Sequence, residues 1–115
     1  MLFRSIAQVH ARAAGKSKVL VCLDSNHTHE HVLAELEAYA PLVSVGSYCV
    51  VFDTFVEDMP AEHVWVDRPW GKGNNPKTAV WAWIKNHPEF VIDQSVADRL
   101  LVTSAPDGFL RRIAA

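Results

Sequence analysis

The sequence predicts an α/β chain built on a mostly parallel sheet, with helices on both faces and an antiparallel hairpin at the carboxyl end. Three observations carry that expectation. The apolar run Val19 to Leu23 stops at Asp24, and an amphipathic segment from Val32 to Val43 follows, the pattern of a buried parallel strand feeding a helix. The pattern returns in Ser47-Tyr48-Cys49-Val50-Val51-Phe52-Asp53, a second β-branched run that also stops at an aspartate. Near the end, Pro106-Asp107-Gly108 separates Leu100–Thr103 from Phe109–Ile113, and a Pro-Asp-Gly turn between two apolar runs signals a hairpin.

Taken in order, Leu2, Phe3, Ile6, Val9 and Ala13 recur at helical spacing opposite Arg4, Gln8 and Arg12, and Gly15 supplies a stop, which predicts a helix over 2–14. A strand over 18–24 follows, then a helix from about 29 to 42 that turns Val32, Leu33, Leu36, Tyr39, Ala40 and Val43 to one face. Pro41 limits its extension. After Gly46 comes the strand 47–53, then a long connection, 54–75, with Trp65, Trp70, Pro60, Pro69 and the run Gly71-Lys72-Gly73-Asn74-Asn75. A segment of that length leaving a sheet edge reads as a lid, and its tryptophans favour one that packs on something. Asn75-Pro76 starts the next helix, 78–86, with the amide as cap and proline in the first turn. Short strands at 90–92 and 100–103 flank a helical turn at 94–99, and the strand after Gly108 closes the sheet. Residues 1–115 are expected to form at most a single, partial domain.

Half the residues are hydrophobic, about a fifth are charged and the formal net charge is −2, which describes a globular chain. Lys and Arg are scattered without a basic stripe, so a nucleic-acid partner is not expected. The apolar runs are too short for a membrane span and Arg4 interrupts any leader-like start, so a cytoplasmic protein is expected. Cys22 and Cys49 lie inside predicted strands without CxxC spacing and read as buried free thiols.

Parallel strands joined by a right-handed crossover point the same way, so Asp24 and Asp53 emerge at one edge of the sheet, where α/β chemistry gathers. Either residue also has a plain structural role open to it, Asp24 as a helix cap and Asp53 as a turn former. His27, close to Asp24, suits a hydrogen-bonding or general-base role, or a backbone-satisfied position at the helix start. His27 and His31 are spaced to share a helix face while His29 points away, so at most two of the three converge on a metal. Arg68, Trp70 and Lys72 on the long loop pair cations with an indole, a combination that closes over a sugar, carboxylate or ring, or simply an exposed loop.

The string Leu23-Asp24-Ser25-Asn26-His27-Thr28-His29-Glu30-His31-Val32, with Glu35-Leu36, Tyr39-Ala40-Pro41-Leu42-Val43, Gly46-Ser47-Tyr48, Asp53-Thr54 and the ending Ala105-Pro106-Asp107-Gly108-Phe109-Leu110-Arg111-Arg112, resembles the cephalosporin hydroxylase family of S-adenosylmethionine-dependent methyltransferases, which includes rhamnosyl O-methyltransferases. The resemblance runs from about residue 16 to 113. It implies a Rossmann-like class I methyltransferase sheet in which 18–24 is the fourth strand, 47–53 the fifth and the closing hairpin region the sixth and seventh. Strands one to three, with the glycine-rich cofactor loop, have no counterpart: no GxGxxG precedes residue 18. The chain thus resembles the carboxyl half of such an enzyme, which leaves open a truncated product, a complementing upstream half or a homo-oligomer.

In the family, the aspartate of the LDS motif and an acidic pair ending the next strand look like ligands for a divalent cation. Asp24 matches the first, whereas Phe52-Asp53-Thr54 stands where the family has Glu-Asp-Thr, leaving Asp24 and Asp53 for Mg²⁺. The implied function is methyl transfer from S-adenosylmethionine to a hydroxyl of a small molecule or glycan, with little activity expected from the isolated chain. Two other readings stand beside it: a non-catalytic half-domain that binds a partner through an exposed sheet edge, and a His/Asp metal-dependent hydrolase or oxygenase.

Overall fold

The computed structural model describes residues 2–115, with side chains from Ser5 onward. Four helices, α1 (Leu2–Ala13), α2 (His29–Tyr39), α3 (Pro76–Ile84) and α4 (Gln94–Leu100), accompany four strands, β1 (Val21–Leu23), β2 (Tyr48–Val51), β3 (Phe90–Ile92) and β4 (Phe109–Arg112). The side chains of Leu2 and Phe3, expected on the apolar face of α1, lie outside the described residues. Ile6 packs against the core, and Gly15 at φ 75° ends the segment in a conformation that suits glycine.

The sheet runs β1-β2-β4-β3. β1 and β2 pair in parallel, Val21 opposite Cys49 and Leu23 opposite Val51, the two aspartate-terminated strands side by side as expected. β4 is inserted between β2 and β3 and is antiparallel to both, so among the described residues one of the three pairings is parallel and the sheet is mixed, not mostly parallel as expected. Cys49 and Val51 of β2, Leu23 of β1, Phe90 of β3 and Leu110 of β4 meet Val32, Leu36 and Tyr39 of α2 and Ala79, Val80 and Trp83 of α3 in one buried cluster. α2 ends where Pro41 enters a 3₁₀ turn, Ala40–Leu42.

Three further sequence expectations are corrected. Residues 100–103 do not form a strand. The Asp93 side chain accepts from the Ser95 amide at 3.0 Å and caps α4, which runs to Leu100 and ends with Leu101 at φ 66°. Both edges of β4 are already taken by β2 and β3, so no place remains beside it, and Leu101 and Val102 are each 87% exposed. The Ala105–Gly108 turn does lead into β4, but the partner strand β3 is reached through α4 and not by a tight hairpin. Cys22 is exposed, against the expectation of a buried thiol, because β1 is an edge strand; Cys49, on central β2, is buried. No helix among the described residues is long and apolar enough to cross a membrane.

Candidate functional site

The site forms where β1 and β2 end. Asp24 is the first residue past β1. The ladder continues one step beyond β2 through the Phe52 amide donating to the Leu23 carbonyl at 3.1 Å, and the chain then turns sharply at Asp53, which holds φ 61° and ψ 27°. A non-glycine residue in the left-handed region costs about 1 kcal/mol or more and is held only where its surroundings fix it. His27 is set by a compact turn in which Asn26 Oδ1 accepts from the Thr28 amide at 3.0 Å and Thr28, as N-cap of α2, accepts from the His31 amide at 3.3 Å.

His27 Nε2 lies 2.9 Å from Asp53 Oδ2 and 3.8 Å from Asp24 Oδ1. One donor atom from each of the three residues falls within 4.8 Å of the others. The Asp24 side chain is 60% exposed whereas those of His27 and Asp53 are about a quarter exposed, so the cluster has an open side and a sheltered side. Burial raises the Asp53 carboxyl above the ordinary aspartate range and the Asp24 charge adds to this, with His27 opposing. Asp53 is therefore a stronger proton acceptor than a solvated aspartate.

The long connection packs on this cluster. The Trp70 ring sits 4.5 Å from the His27 ring, tilted by 55°, and the Arg68 guanidinium lies 5.5 Å from the Trp70 ring centre. Lys72 turns elsewhere, donating to the Glu57 carbonyl at 2.9 Å, and so ties the loop to itself. The start of the connection is a 3₁₀ helix, Thr54–Asp58, with Thr54 and Val56 buried. Glu57 accepts from the Gly73 amide and from Asn75 Nδ2, both at 2.8 Å, and the Gly73 bond in particular holds its carboxyl below the usual range. Asn74 Oδ1 accepts from the His29 amide at 2.8 Å, joining the loop to the first turn of α2. The segment is thus a folded wall of the site, consistent with the expectation of a loop that packs.

The histidines part company. α2 begins at His29, so His27 lies ahead of it and the expected shared helix face with His31 does not arise. His29 Nδ1 is 2.8 Å from Thr78 Oγ1 of α3, and His31 Nε2 is 3.1 Å from Ser25 Oγ and 3.6 Å from Glu35 Oε1. Glu57 was not singled out in the sequence, and Glu35, 6% exposed, was read there as part of the family motif without its pairing to His31, which its i+4 position signals.

Comparison with known proteins places this sequence in a family. The family model described as rhamnosyl O-methyltransferase/CmcI matches residues 3–113. The rhamnosyl O-methyltransferase of Mycobacterium tuberculosis (strain ATCC 25618 / H37Rv) is 35% identical over 96 residues, covering 83% of this chain and 36% of the relative. That of Mycobacterium leprae (strain TN) is 32% identical over 96 residues, 83% of this chain and 39% of the relative. The chain therefore spans little more than a third of the length of these relatives. No solved structure matches. With a family model covering nearly its whole length, and the strand-end aspartates and His27 inside the matched region, the chain belongs to the rhamnosyl O-methyltransferase/CmcI family.

Proposed function

We propose that this chain supplies the acceptor-positioning edge of a cytoplasmic, S-adenosylmethionine-dependent O-methyltransferase with a Rossmann-like class I sheet, acting on a glycan or small-molecule hydroxyl, a rhamnosyl hydroxyl being the first choice from the names of its relatives. The observation that carries the proposal is the convergence of His27, Asp24 and Asp53 beside Trp70 at the ends of two parallel strands. No glycine-rich strand-to-helix loop occurs among the described residues, so the methyl donor's pocket is assigned to the remainder of the family's length and no step is drawn through it.

The donor set fits a divalent cation. Asp24 and Asp53 offer the hard carboxylate oxygens that Mg²⁺ takes, and the His27 imidazole lies beside them. A cation held there would acidify a hydroxyl bound to it. The protein's own residues orient the acceptor against the Trp70 face, shelter it on the Asp53 side, and receive its proton on the His27 imidazole. Arg68 stacked on Trp70 would complete the wall toward an incoming sugar.

The test joins this chain to the upstream part of the M. tuberculosis relative and measures transfer of a labelled methyl group to a rhamnosyl acceptor. Loss of at least about 100-fold in rate is expected for His27→Ala, from removal of a general base. Activity that is unchanged by His27→Ala and Asp53→Asn would overturn the assignment. Absence of transfer in every form would favour a non-catalytic half-domain.

A further inference from the structure

The first backbone N–H groups of a helix have no partner within it, and a side chain just ahead of the helix usually meets one of them. Thr28 does this for the His31 amide of α2, but the His29 amide is met from elsewhere: Asn74 Oδ1, 45 residues along the chain, accepts from it at 2.8 Å. The same side chain donates through Nδ2 to the Pro69 carbonyl at 3.1 Å. Both partners are backbone groups of fixed polarity, so the amide sits only one way round.

These partners adjoin the two rings that face each other in the candidate site. Pro69 directly precedes Trp70, and His29 lies two residues past His27, across the turn that Asn26 closes on Thr28. After Trp70 the chain makes a tight turn in which Gly71 and Asn74 exchange backbone bonds of 2.9 and 3.0 Å, with Gly73 at φ 85°, so Trp70 and Asn74 move as one piece. The other side-chain bonds of this turn stay within the connection, at Glu57, Met59 and Asn75. Among the described residues, the Asn74–His29 bond is the one hydrogen bond from the connection to α2. His29 is held independently on its other side, its Nδ1 being 2.8 Å from Thr78 Oγ1 of α3, so the start of α2 keeps its place without the loop.

We propose that Asn74 is a positioning residue for the acceptor wall: it caps α2 from the loop and so fixes Trp70 against His27, at the 4.5 Å separation of their rings. The use of that wall rests on the methyl-transfer reading, whereas the geometry is a property of the chain by itself. Asn74 makes no hydrogen bond to Asp24, His27, Asp53 or Trp70 and acts through the placement of Trp70. The link to α2 needs an acceptor oxygen at position 74, which alanine lacks and aspartate supplies.

Nuclear magnetic resonance of the chain alone tests this. In the native chain an Overhauser effect between the ring protons of Trp70 and His27 is expected, together with a protected His29 amide. Asn74→Ala is expected to abolish the Overhauser effect and to speed His29 exchange at least about tenfold. Asn74→Asp keeps the oxygen for His29 and adds a negative charge that a helix start favours, so it is expected to restore both signals. Asn74 is itself exposed, and the amides of central β2 and β4, which report the fold, are expected to exchange alike in all three forms. In the enzyme completed with the upstream part of the M. tuberculosis relative, Asn74→Ala is expected to lower kcat/KM for the acceptor at least about tenfold while KM for the methyl donor is unchanged. A Trp70–His27 contact that survives Asn74→Ala, or that Asn74→Asp fails to restore, overturns the proposal. So does faster exchange throughout β2 and β4 in Asn74→Ala, the mark of a merely structural role, or an unchanged acceptor kcat/KM in a completed enzyme that turns over. A completed enzyme without turnover counts against the methyl-transfer reading alone, and the Overhauser effect then decides the role of Asn74.

Discussion

Asn75 links the long connection to α3, and replacing it by alanine removes four interactions at once. Its Oδ1 accepts from the Lys77 and Thr78 amides at 2.9 and 3.1 Å, and its Nδ2 donates to Glu57 Oε1 at 2.8 Å and to the Gly71 carbonyl at 2.9 Å. The residue is fully buried, so water does not replace these partners. Loss of the helix cap costs about 1 kcal/mol. Loss of a hydrogen bond to a charged carboxylate costs about 1.5–3 kcal/mol. Because the terms share one side chain they do not simply add, and a net loss of about 3 kcal/mol is expected for Asn75→Ala, a large part of the stability of a domain this size.

Urea unfolding followed by circular dichroism measures it. Asn75→Asp separates the two contributions: it keeps the capping oxygen but gives up both donations and sets a carboxylate against Glu57. Glu57 has a depressed pKa, so in the native protein its contribution is present above about pH 4.5 and is lost as pH falls through the folded value. The Asp variant should therefore be weakest near neutrality and approach the native protein in acid as the repulsion is relieved. A loss under about 1 kcal/mol for Asn75→Ala, or an Asp variant with a pH profile parallel to the native one, would refute this account of the loop.

Two further outcomes follow from the structure. At Gly108 an added Cβ would lie 2.2 Å from the Val51 carbonyl oxygen, where the Val51 amide also bonds the Gly108 carbonyl at 2.8 Å. Gly108→Ala must push β2 and β4 apart, and a loss above about 3 kcal/mol or failure to accumulate folded protein is expected; a native-like urea midpoint would contradict it. Glu35 has its carboxyl raised by burial, with Ser25 and His31 opposing. For a raised carboxyl the folded state binds the proton more tightly, so stability of the single chain falls as pH rises from about 4.5 through the folded value. Glu35→Gln should flatten that fall in thermal melts, and an unchanged profile would show that Glu35 is not its source.

The parts of the fold that were legible in the sequence are those written by local pattern. The runs ending at Asp24 and Asp53 and the Asn75-Pro76 cap state their own structure, and the parallel pairing of the two strands brings both aspartates to one edge as that pattern implies. Residues 100–103 misled because an apolar run is compatible with strand or helix end, and the decision rested on a tertiary fact, the occupation of both edges of β4. Cys22 misled for the same kind of reason: the run around it reads as a central strand, and its place at the sheet edge depends on which strands are present. At the site, spacing suggested a shared face for His27 and His31, but the cap at Thr28 delays the helix and sends His27 to Asp53 and His31 to Ser25 and Glu35. The anchoring of the loop by Glu57 joins positions 16 and 18 residues apart through side-chain hydrogen bonds, which no periodicity encodes.

That Asp24 and Asp53 act as one cation site is tested most directly on this chain alone by titration with Mn²⁺, followed by electron paramagnetic resonance of the free ion. One ion per chain is expected, with affinity reduced at least about tenfold by Asp53→Asn and again by Asp24→Asn, and with Mg²⁺ competing for the same position. Failure of the native chain to bind, or binding indifferent to both substitutions, would contradict the account.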